Sequence, residues 1–570
     1  MRYHVLACDY DGTLAHDSRV ADHTVAALER VKDSGRRLVL VTGRILDELI
    51  GLFPQVDLFD AVVAENGALV YDPSTRESIL LGSPPPAIFI ETLRRAGAAP
   101  IAVGRSIVAT WEPHETVVLQ AIRDLGLELH LIFNKGAVMV LPSGINKATG
   151  LVAALDRMKL SPHNAVGVGD AENDHAFLEV CEVAVAVSNA LPILKEKADL
   201  VTQGDHGDGV AELCEQLLAD DLASIAPRLT RHEILLGHAG DGAEVRVPPY
   251  GVSILLAGTS GGGKSTIATS FLERVGRKKY QYVITDPEGD YQDFEGAIVL
   301  GGPRTPVSVE EVLQVLENPM DNAVANMLGI ALPHRPAFFE ALISTLLELR
   351  ARAGRPHWLV IDETHHMIPA ERGPAPNALP QRLGGTLMIT VHPDKISPAA
   401  LTMIDLVLAI GSEPGSTLAM FAKAVGKRAP RVPKDPLKPG EAIGWWWRRG
   451  SSPFWMKSVP ARMERKRHHR KYMEGELPPD RSFFFRGRDG RLKLRAQNLQ
   501  VFSQLAEGVD DETWLHHLQH GDYSAWFRDG IKDDDLAEAA RIVEQDASLP
   551  ADVSRGRILA RIQERYTGAA

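Results

Sequence analysis

Three cysteines, Cys8, Cys181 and Cys214, are all that 570 residues contain, and they show no pairing pattern, so a disulfide framework is excluded and a reducing, cytoplasmic setting is expected. Long apolar runs are missing too. None approaches the roughly eighteen residues of a membrane helix, so no membrane partner is expected. A signal peptide is not expected either, because a buried strand already begins at Arg2. Surplus positive charge is also absent: the net charge of -12 excludes a protein that coats nucleic acid indiscriminately. What remains is ordinary globular usage, 45% hydrophobic and 24% charged, in a chain long enough for several domains.

Two phosphate-handling patterns stand out against this background. The apolar run Val5-Leu6-Ala7-Cys8 reads as a buried parallel strand, and it ends in Asp9-Tyr10-Asp11-Gly12-Thr13. The two-residue period of a strand aims Asp9 and Asp11 to one side at its carboxyl end, where open α/β sheets place ligands. Carboxylates that close are costly unless a cation lies between them or they do different jobs. In phosphoryl transfer Asp9 can be nucleophile and Asp11 proton donor.

Three further pieces follow in the order such a site needs. Arg37 to Val41 is a second buried strand ending in Thr42-Gly43-Arg44, where a hydroxyl and free amides can grip phosphate oxygens. Lys147, at the mouth of a helix, can neutralise the same oxygens. Val166 to Gly169 leads into the acidic loop Asp170-Ala171-Glu172-Asn173-Asp174, whose hard oxygen ligands suit Mg²⁺. Each piece alone also reads blandly, as a turn, a solvated loop or a solvated lysine. In this order, on strand ends, they resemble the four motifs of the haloacid dehalogenase (HAD) superfamily of phosphatases. Glu65-Asn66-Gly67 resembles the Cof-type branch and adds Asn66 to the substrate-binding set of Thr42, Gly43 and Arg44. The resemblance implies an aspartyl-phosphate mechanism, Mg²⁺ held by Asp9, Asp11, Asp170 and Asp174, and a small phosphorylated substrate such as a sugar phosphate or phosphoglycolate. It also implies a Rossmann-like core over 1–81 and 144–220 with a small α+β cap over 82–143.

The second pattern follows the apolar strand Val252 to Ala257. Gly258-Thr259-Ser260-Gly261-Gly262-Gly263-Lys264-Ser265, continued by Thr266, has the eight-residue spacing of a phosphate loop. Its glycines let backbone amides face the phosphates of ATP, Lys264 reaches the terminal groups, and Ser265 ligates Mg²⁺. His357 to Ile361 is a strand ending in Asp362, suited to the metal-bound water, and Glu363, suited to polarising the attacking water. With Val283 to Tyr291 and Ile361 to His366, this region resembles the HerA/FtsK group of translocating ATPases, and the resemblance implies a RecA-like α/β domain over 232–432. Thr390 and His392 match that group's polar sensor, and Arg428 or Arg431 the arginine that a neighbour supplies in a homo-oligomeric ring. Ahead of the loop only Arg231 to Pro249 is available, enough for a hairpin where the group usually carries a small barrel. His365-His366 invites a zinc reading, but without further ligands at useful spacing a packed or sensor role is expected.

Residues 433–478 are expected to connect, with a basic run from Arg462 to Lys471 preceded by Trp445, Trp446, Trp447 and Trp455. This segment reads first as a solvated helix face with packed tryptophans, and second as a nucleic-acid contact. Residues 479–570 are expected to form a mainly helical domain opened by a short hairpin at Phe483-Phe484-Phe485 and Leu492-Lys493-Leu494. Two other classes stay open: a polynucleotide kinase joined to a phosphatase, and a phosphatase organised by a nucleotide-binding ring.

Overall fold

The structure is a computed structural model that describes residues 1–134, 136–259, 262–370, 383–432, 436–461, 472–473, 477, 481–487, 490, 492–531, 533–546 and 548–566. It divides into two compact units, 1–459 and 460–570. The expected basic run at 462–471 lies outside the described residues, as do Ser260 and Gly261.

The first unit contains two large sheets, each built on buried parallel strands. The first has eight strands in the order 200–201, 183–186, 165–169, 5–9, 37–41, 61–64, 69–72 and 77–80. It is parallel as far as 61–64, and the last two strands run antiparallel. Its strands 5–9, 61–64, 165–169 and 183–186 are buried on both faces, and their near-continuous Val and Ala runs require such cover. Residues 102–142 add a separate four-stranded antiparallel sheet, with helices Ala87–Arg95 and Glu115–Leu125 and a small core of its own around Phe89, Val118 and Val140.

The second sheet has eleven strands. Its parallel part runs 406–410, 253–258, 386–390, 358–361, 282–286, 323–326, 298–300. Beyond 406–410 it continues antiparallel through 441–445, 454–458, 234–239 and 244–247. One expectation needs correction here. Residues 441–458, read as part of a connecting segment, are strands of this sheet, and the hairpin before the phosphate loop pairs with them. Trp445 is buried against Phe421, and the Trp447 indole donates to the Ile404 carbonyl at 2.7 Å, so these aromatics are packing groups. The sequence pattern missed this because both strands are short and the one ending at Trp445 leads straight into Trp446, Trp447 and two arginines.

The two sheets meet at their amino-terminal edges. Glu182 precedes strand 183–186, His163 and Asn164 precede 165–169, and Tyr280 and His357 precede 282–286 and 358–361. His163 stacks on Tyr280 with centroids 3.7 Å apart, Tyr280 donates to Glu182 at 2.6 Å, and Arg2 lies 3.9 Å over the Tyr250 ring. The carboxyl edges, where the two motif sets sit, therefore point away from each other.

Among the described residues the second unit holds a hairpin of Phe483–Phe485 with Leu494–Ala496 and the helices Leu499–Gly508, Asp511–His520, Asp522–Asp529, Asp534–Glu544 and Ala551–Tyr566. Phe502, Trp514, Tyr523 and Phe527 form its core.

Candidate active sites

Strand register assembles the first centre. Asp9 lies opposite Val41 and Cys8 opposite Val168, so Asp9, Thr42 and Asp170 leave the sheet side by side at its carboxyl edge. Asp9, Asp170 and Asp174 bring carboxylate oxygens within 4.8 Å of one another. Lys147 enters from the opposite side, its Nζ donating to Asp9 Oδ1 at 2.6 Å and Asp174 Oδ1 at 2.5 Å.

Lys147 is 1% exposed, although a lysine at a helix start is ordinarily solvated. Close backbone approach buries it. Asn146 caps the helix Lys147–Arg157, and a Cβ at Gly67 (φ +102°) would fall 1.9 Å from the Asn146 carbonyl oxygen. A Cβ at Gly150 would fall 2.4 Å from the Val63 side chain. Only glycine at both positions lets the first helical turn press its lysine between the carboxylates.

Burial, then the charges of Asp174 and Asp170, push the Asp9 carboxyl well above the usual range, and Lys147 opposes them. Burial would lower the Lys147 ammonium, but Asp174 and Asp9 outweigh it and hold the proton. Three carboxyl groups face one ammonium in a buried pocket, an excess of acid over base. That surplus on hard oxygen donors fits Mg²⁺, which Asp9, Asp170 and Asp174 would hold.

The Asp11 carboxylate stands apart from this cluster. Arg44 grips it in bidentate fashion, Nε to Oδ2 at 2.7 Å and Nη2 to Oδ1 at 2.5 Å, and also donates to Ser18 Oγ at 2.9 Å. Thr42 is fully buried, and its Oγ accepts the Arg44 backbone N–H at 3.1 Å, so its own proton is left to give to a phosphoryl oxygen. A Cβ on Gly43 would meet Met139 of the four-stranded cap sheet at 3.2 Å, so the cap closes directly over the site. Asn66 Oδ1 accepts from Asn173 Nδ2 at 3.0 Å; Asn66 Nδ2 and Asn173 Oδ1 are buried without a partner among the described residues.

Three contributors were not singled out from sequence. Thr13 donates to Asp170 at 3.1 Å. Asn173 makes the amide pair just described. Glu65 accepts the backbone N–H groups of Arg105, Ser106 and Ile107 at 2.9, 2.7 and 3.1 Å, tying the cap to the core. The Glu65-Asn66-Gly67 motif flagged the neighbourhood, but a contact forty residues distant leaves no local signal.

The second centre lies at the carboxyl edge of the second sheet. Strand Ser253–Gly258 passes through the loop into helix Lys264–Arg277, whose first three residues are Lys264, Ser265 and Thr266. Lys264 Nζ donates to the Gly258 and Thr259 carbonyls at 3.2 and 3.3 Å. Burial lowers its proton affinity, and Glu363, Asp362, Glu288 and Asp290 oppose that. Asp362 is pushed up to about 8, chiefly by burial. Glu363 is raised as well, by burial and then by Glu288, and its backbone sits in the left-handed region at φ +40°. Its Oε2 is buried, 3.3 Å from His365 Nδ1, and makes no hydrogen bond among the described residues.

The sensor candidates converge on this acid. Thr390 Oγ1 accepts the His392 backbone N–H at 3.0 Å and lies 3.1 Å from His365 Nδ1. Burial lowers His365 to about 4, so it is neutral, and it joins no metal-binding group among the described residues. Asp286, not assigned a role from sequence, is fully buried and accepts the Asp290 and Tyr291 amides at 3.0 and 2.9 Å. Arg428 and Arg431 are exposed on the segment after helix Pro414–Ala424.

Residues 6–83 and 120–213 match the family model of haloacid dehalogenase-like hydrolases, and residues 251–366 match that of the helicase HerA central domain. The phosphoglycolate phosphatase of Methanothermobacter thermautotrophicus is 30% identical over 222 residues, 37% of this chain and 98% of that protein. That of Haloarcula marismortui is 32% identical over 216 residues, 36% of this chain and 94% of that protein. A solved haloacid dehalogenase-like hydrolase from Bacteroides thetaiotaomicron aligns at 18% identity and TM-score 0.34, over 38% of this chain and 99% of that one. Among the described residues no helix is long and apolar enough to cross a membrane.

Proposed function

Because the chain belongs to the haloacid dehalogenase-like hydrolases through its N-terminal region and carries a HerA-type central domain behind it, we propose a bifunctional enzyme: a Mg²⁺-dependent phosphomonoesterase joined to an ATP hydrolase of the HerA translocase type. The observation that carries the first half is the buried Lys147 bridging Asp9 and Asp174 beside the Thr42 hydroxyl. Asp9 attacks phosphorus while the bond to the leaving oxygen breaks, and Asp11 supplies that oxygen's proton. Water then attacks the aspartyl phosphate, returning a proton to Asp11 and releasing phosphate. Thr42 and Lys147 hold the phosphoryl oxygens throughout. Mg²⁺, when bound by Asp9, Asp170 and Asp174, neutralises charge on the transferring group.

Arg44 must let go of Asp11 before the acid can donate. An anionic substrate offers Arg44 a replacement carboxylate or phosphoryl oxygen. With the unpaired Asn66 and Asn173 amides as a donor and an acceptor, and a cap that leaves little room, a compact substrate such as phosphoglycolate or a sugar phosphate fits. Two relatives are named for phosphoglycolate. In the second half Lys264 and the loop amides take the ATP phosphates, Ser265 and Asp362 would hold its metal, and Glu363, raised towards neutrality, accepts a proton from water.

The test is phosphate release by the purified chain from phosphoglycolate and a panel of phosphorylated small molecules, with and without Mg²⁺, and with Asp9→Asn as control. Turnover that survives Asp9→Asn overturns the mechanism. ATP hydrolysis is followed with and without single- and double-stranded DNA at several salt concentrations. Stimulation that fades as salt rises supports translocation; no response returns the second half to a regulatory ring, and transfer of label to a 5′ hydroxyl makes it a kinase.

A further inference from the structure

Away from both centres, the described residues contain one further cluster of metal-ligating side chains. One ring nitrogen of His163, one of His232 and a carboxylate oxygen of Glu182 lie within 4.8 Å of one another. His163 and Glu182 come from the amino-terminal edge of the hydrolase sheet, and His232 stands two residues before strand Ile234–Ala239 of the second sheet. Arg231 pins that link in place, donating to the Cys181 carbonyl at 2.7 Å and to Asp199 Oδ2 at 2.9 Å.

The hydrogen bonds of the two rings fix which nitrogen is bare. A backbone carbonyl only accepts, so a ring nitrogen that faces one carries the proton. His163 Nε2 faces the Lys278 carbonyl at 2.5 Å, and His232 Nε2 faces the Cys181 carbonyl at 3.0 Å. In each neutral ring the lone pair is therefore on Nδ1, and burial, which lowers His232 to about 4, keeps that ring neutral. Metal-bound histidines are ordinarily held in this way, with the far N–H on a carbonyl or carboxylate. His163 Nδ1 lies 2.9 Å from Glu182 Oε2. Tyr280 donates to the same Oε2 at 2.6 Å and Arg2 to Oε1 at 2.7 Å, so the carboxylate is oriented as well.

We propose that His163, Glu182 and His232 hold one zinc ion at the seam, with water as the fourth ligand. Two imidazoles and a carboxylate are a donor set that zinc takes at about 2.0–2.2 Å, and ligands of a tetrahedron that size stand about 3.4 Å apart. Shifts of about an ångström therefore close the cluster on the ion. The ion takes the place of the proton between His163 Nδ1 and Glu182 Oε2, and that proton is released. His163 and Glu182 are buried, and the half-buried His232 gives the ion its way in from solvent. Arg2, Arg231 and Lys278 put positive charge near the cluster. That charge and the water ligand set an affinity on the order of micromolar, below that of closed structural sites. Through His232 the ion would tie the start of the second half to the edge of the hydrolase sheet. Binding depends on neither catalytic activity.

Zinc also visits the two catalytic centres, so the readout is a difference between variants of the whole chain. Each is stripped of metal, held in excess Mg²⁺ and titrated with ZnCl₂ in equilibrium dialysis, and Co²⁺ in place of zinc reports the ligands through its visible absorption. His232→Gln keeps an N–H for the Cys181 carbonyl and removes the imidazole. It should lose one zinc equivalent from the micromolar range, a weakening on the order of a hundredfold, and the absorption of four-coordinate Co²⁺ with it. Tyr280→Phe leaves all three ligands and removes only the donor that orients Glu182, so it should weaken binding by about tenfold. Equal stoichiometry and midpoint in the unaltered chain and His232→Gln overturn the site. If His232→Gln does not fold, Tyr280→Phe decides alone, and an unchanged midpoint overturns it. Zinc binding of this pattern in a chain without phosphatase or ATPase activity would count against the proposed function and leave the seam site standing.

Discussion

The hydrolase centre and the phosphate-loop centre lie at equivalent edges of similar sheets, yet they resolve their charges differently. In the first, Lys147 already spans Asp9 and Asp174, Thr13 steadies Asp170, and Arg44 holds Asp11. In the second, Lys264 turns back on its own loop carbonyls while burial raises the carboxyls of Asp362, Glu363 and Asp286. One site already has its cations set against its acids; the other has its lysine turned away from acids that burial has raised. Preorganised dipoles and charges suit a site whose task is the chemistry alone. A site whose electrostatics change on binding suits a device that must register that it is loaded.

The most severe test separates the two centres outright. Asp9→Asn should lower phosphate ester turnover by on the order of ten-thousandfold and leave ATP hydrolysis within about twofold, and Lys264→Ala should do the reverse. Steady-state assays of both activities on each variant decide it, and joint loss in folded protein would end the two-centre reading. Next in size, Glu363→Gln should retain ATP binding while turnover falls by on the order of a hundredfold, the contribution of a positioned base. Binding by equilibrium dialysis beside single-turnover kinetics distinguishes this from a general defect.

Acid stability probes the seam that both centres share. Burial pushes the Glu182 carboxyl up, but the His163 hydrogen bond and charge and Arg2 outweigh it and hold it at about 2. A depressed carboxylate contributes stability that is complete above its ordinary pKa near 4.5 and is lost as pH falls towards 2. Burial lowers His232 to about 4, so the folded state prefers it neutral, and stability is lost as pH falls from about 6.5 towards 4. Urea midpoints of the chain should therefore drop in two stages. Glu182→Gln should flatten the lower stage, worth a few kcal/mol at most by the one-unit equivalence of about 1.4 kcal/mol, and deepen the upper one, because the Glu182 charge holds His232 up against burial.

The smallest effect is the most direct measure of the contrast. Mg·ATP should slow amide exchange across 286–291 and 361–365 several-fold, whereas 9–13 and 146–149 should be slow beforehand and change little when phosphate is added. Equal responses would mean that both centres are preformed.

Much of this was legible in the chain because motif residues sit on strand ends, and parallel register carries the ends to one edge without further information. Asp9, Thr42 and Asp170 come together at one edge for that reason, and Asp362 and Glu363 follow a strand end at the other. Lys147 was legible as a cation at a helix mouth, but its burial was not, since that depends on Gly67 and Gly150 admitting a helix against the sheet. The Arg44–Asp11 pair, the Glu65 clamp and the strands at 441–458 depend on contacts between distant segments, and nothing in local spacing announces them.

Joining the sheets by their amino-terminal edges has a consequence for traffic. The two mouths open on opposite sides of the seam, so a molecule leaving either must diffuse through bulk solvent to find the other, diluted with everything in solution. A soluble scavenger enzyme would intercept it as readily as if the halves were separate proteins. What one half can pass directly to the other is a displacement or a change of stiffness carried through His163, Tyr280, Glu182 and Arg2, and any dialogue that does not run through solution is mechanical.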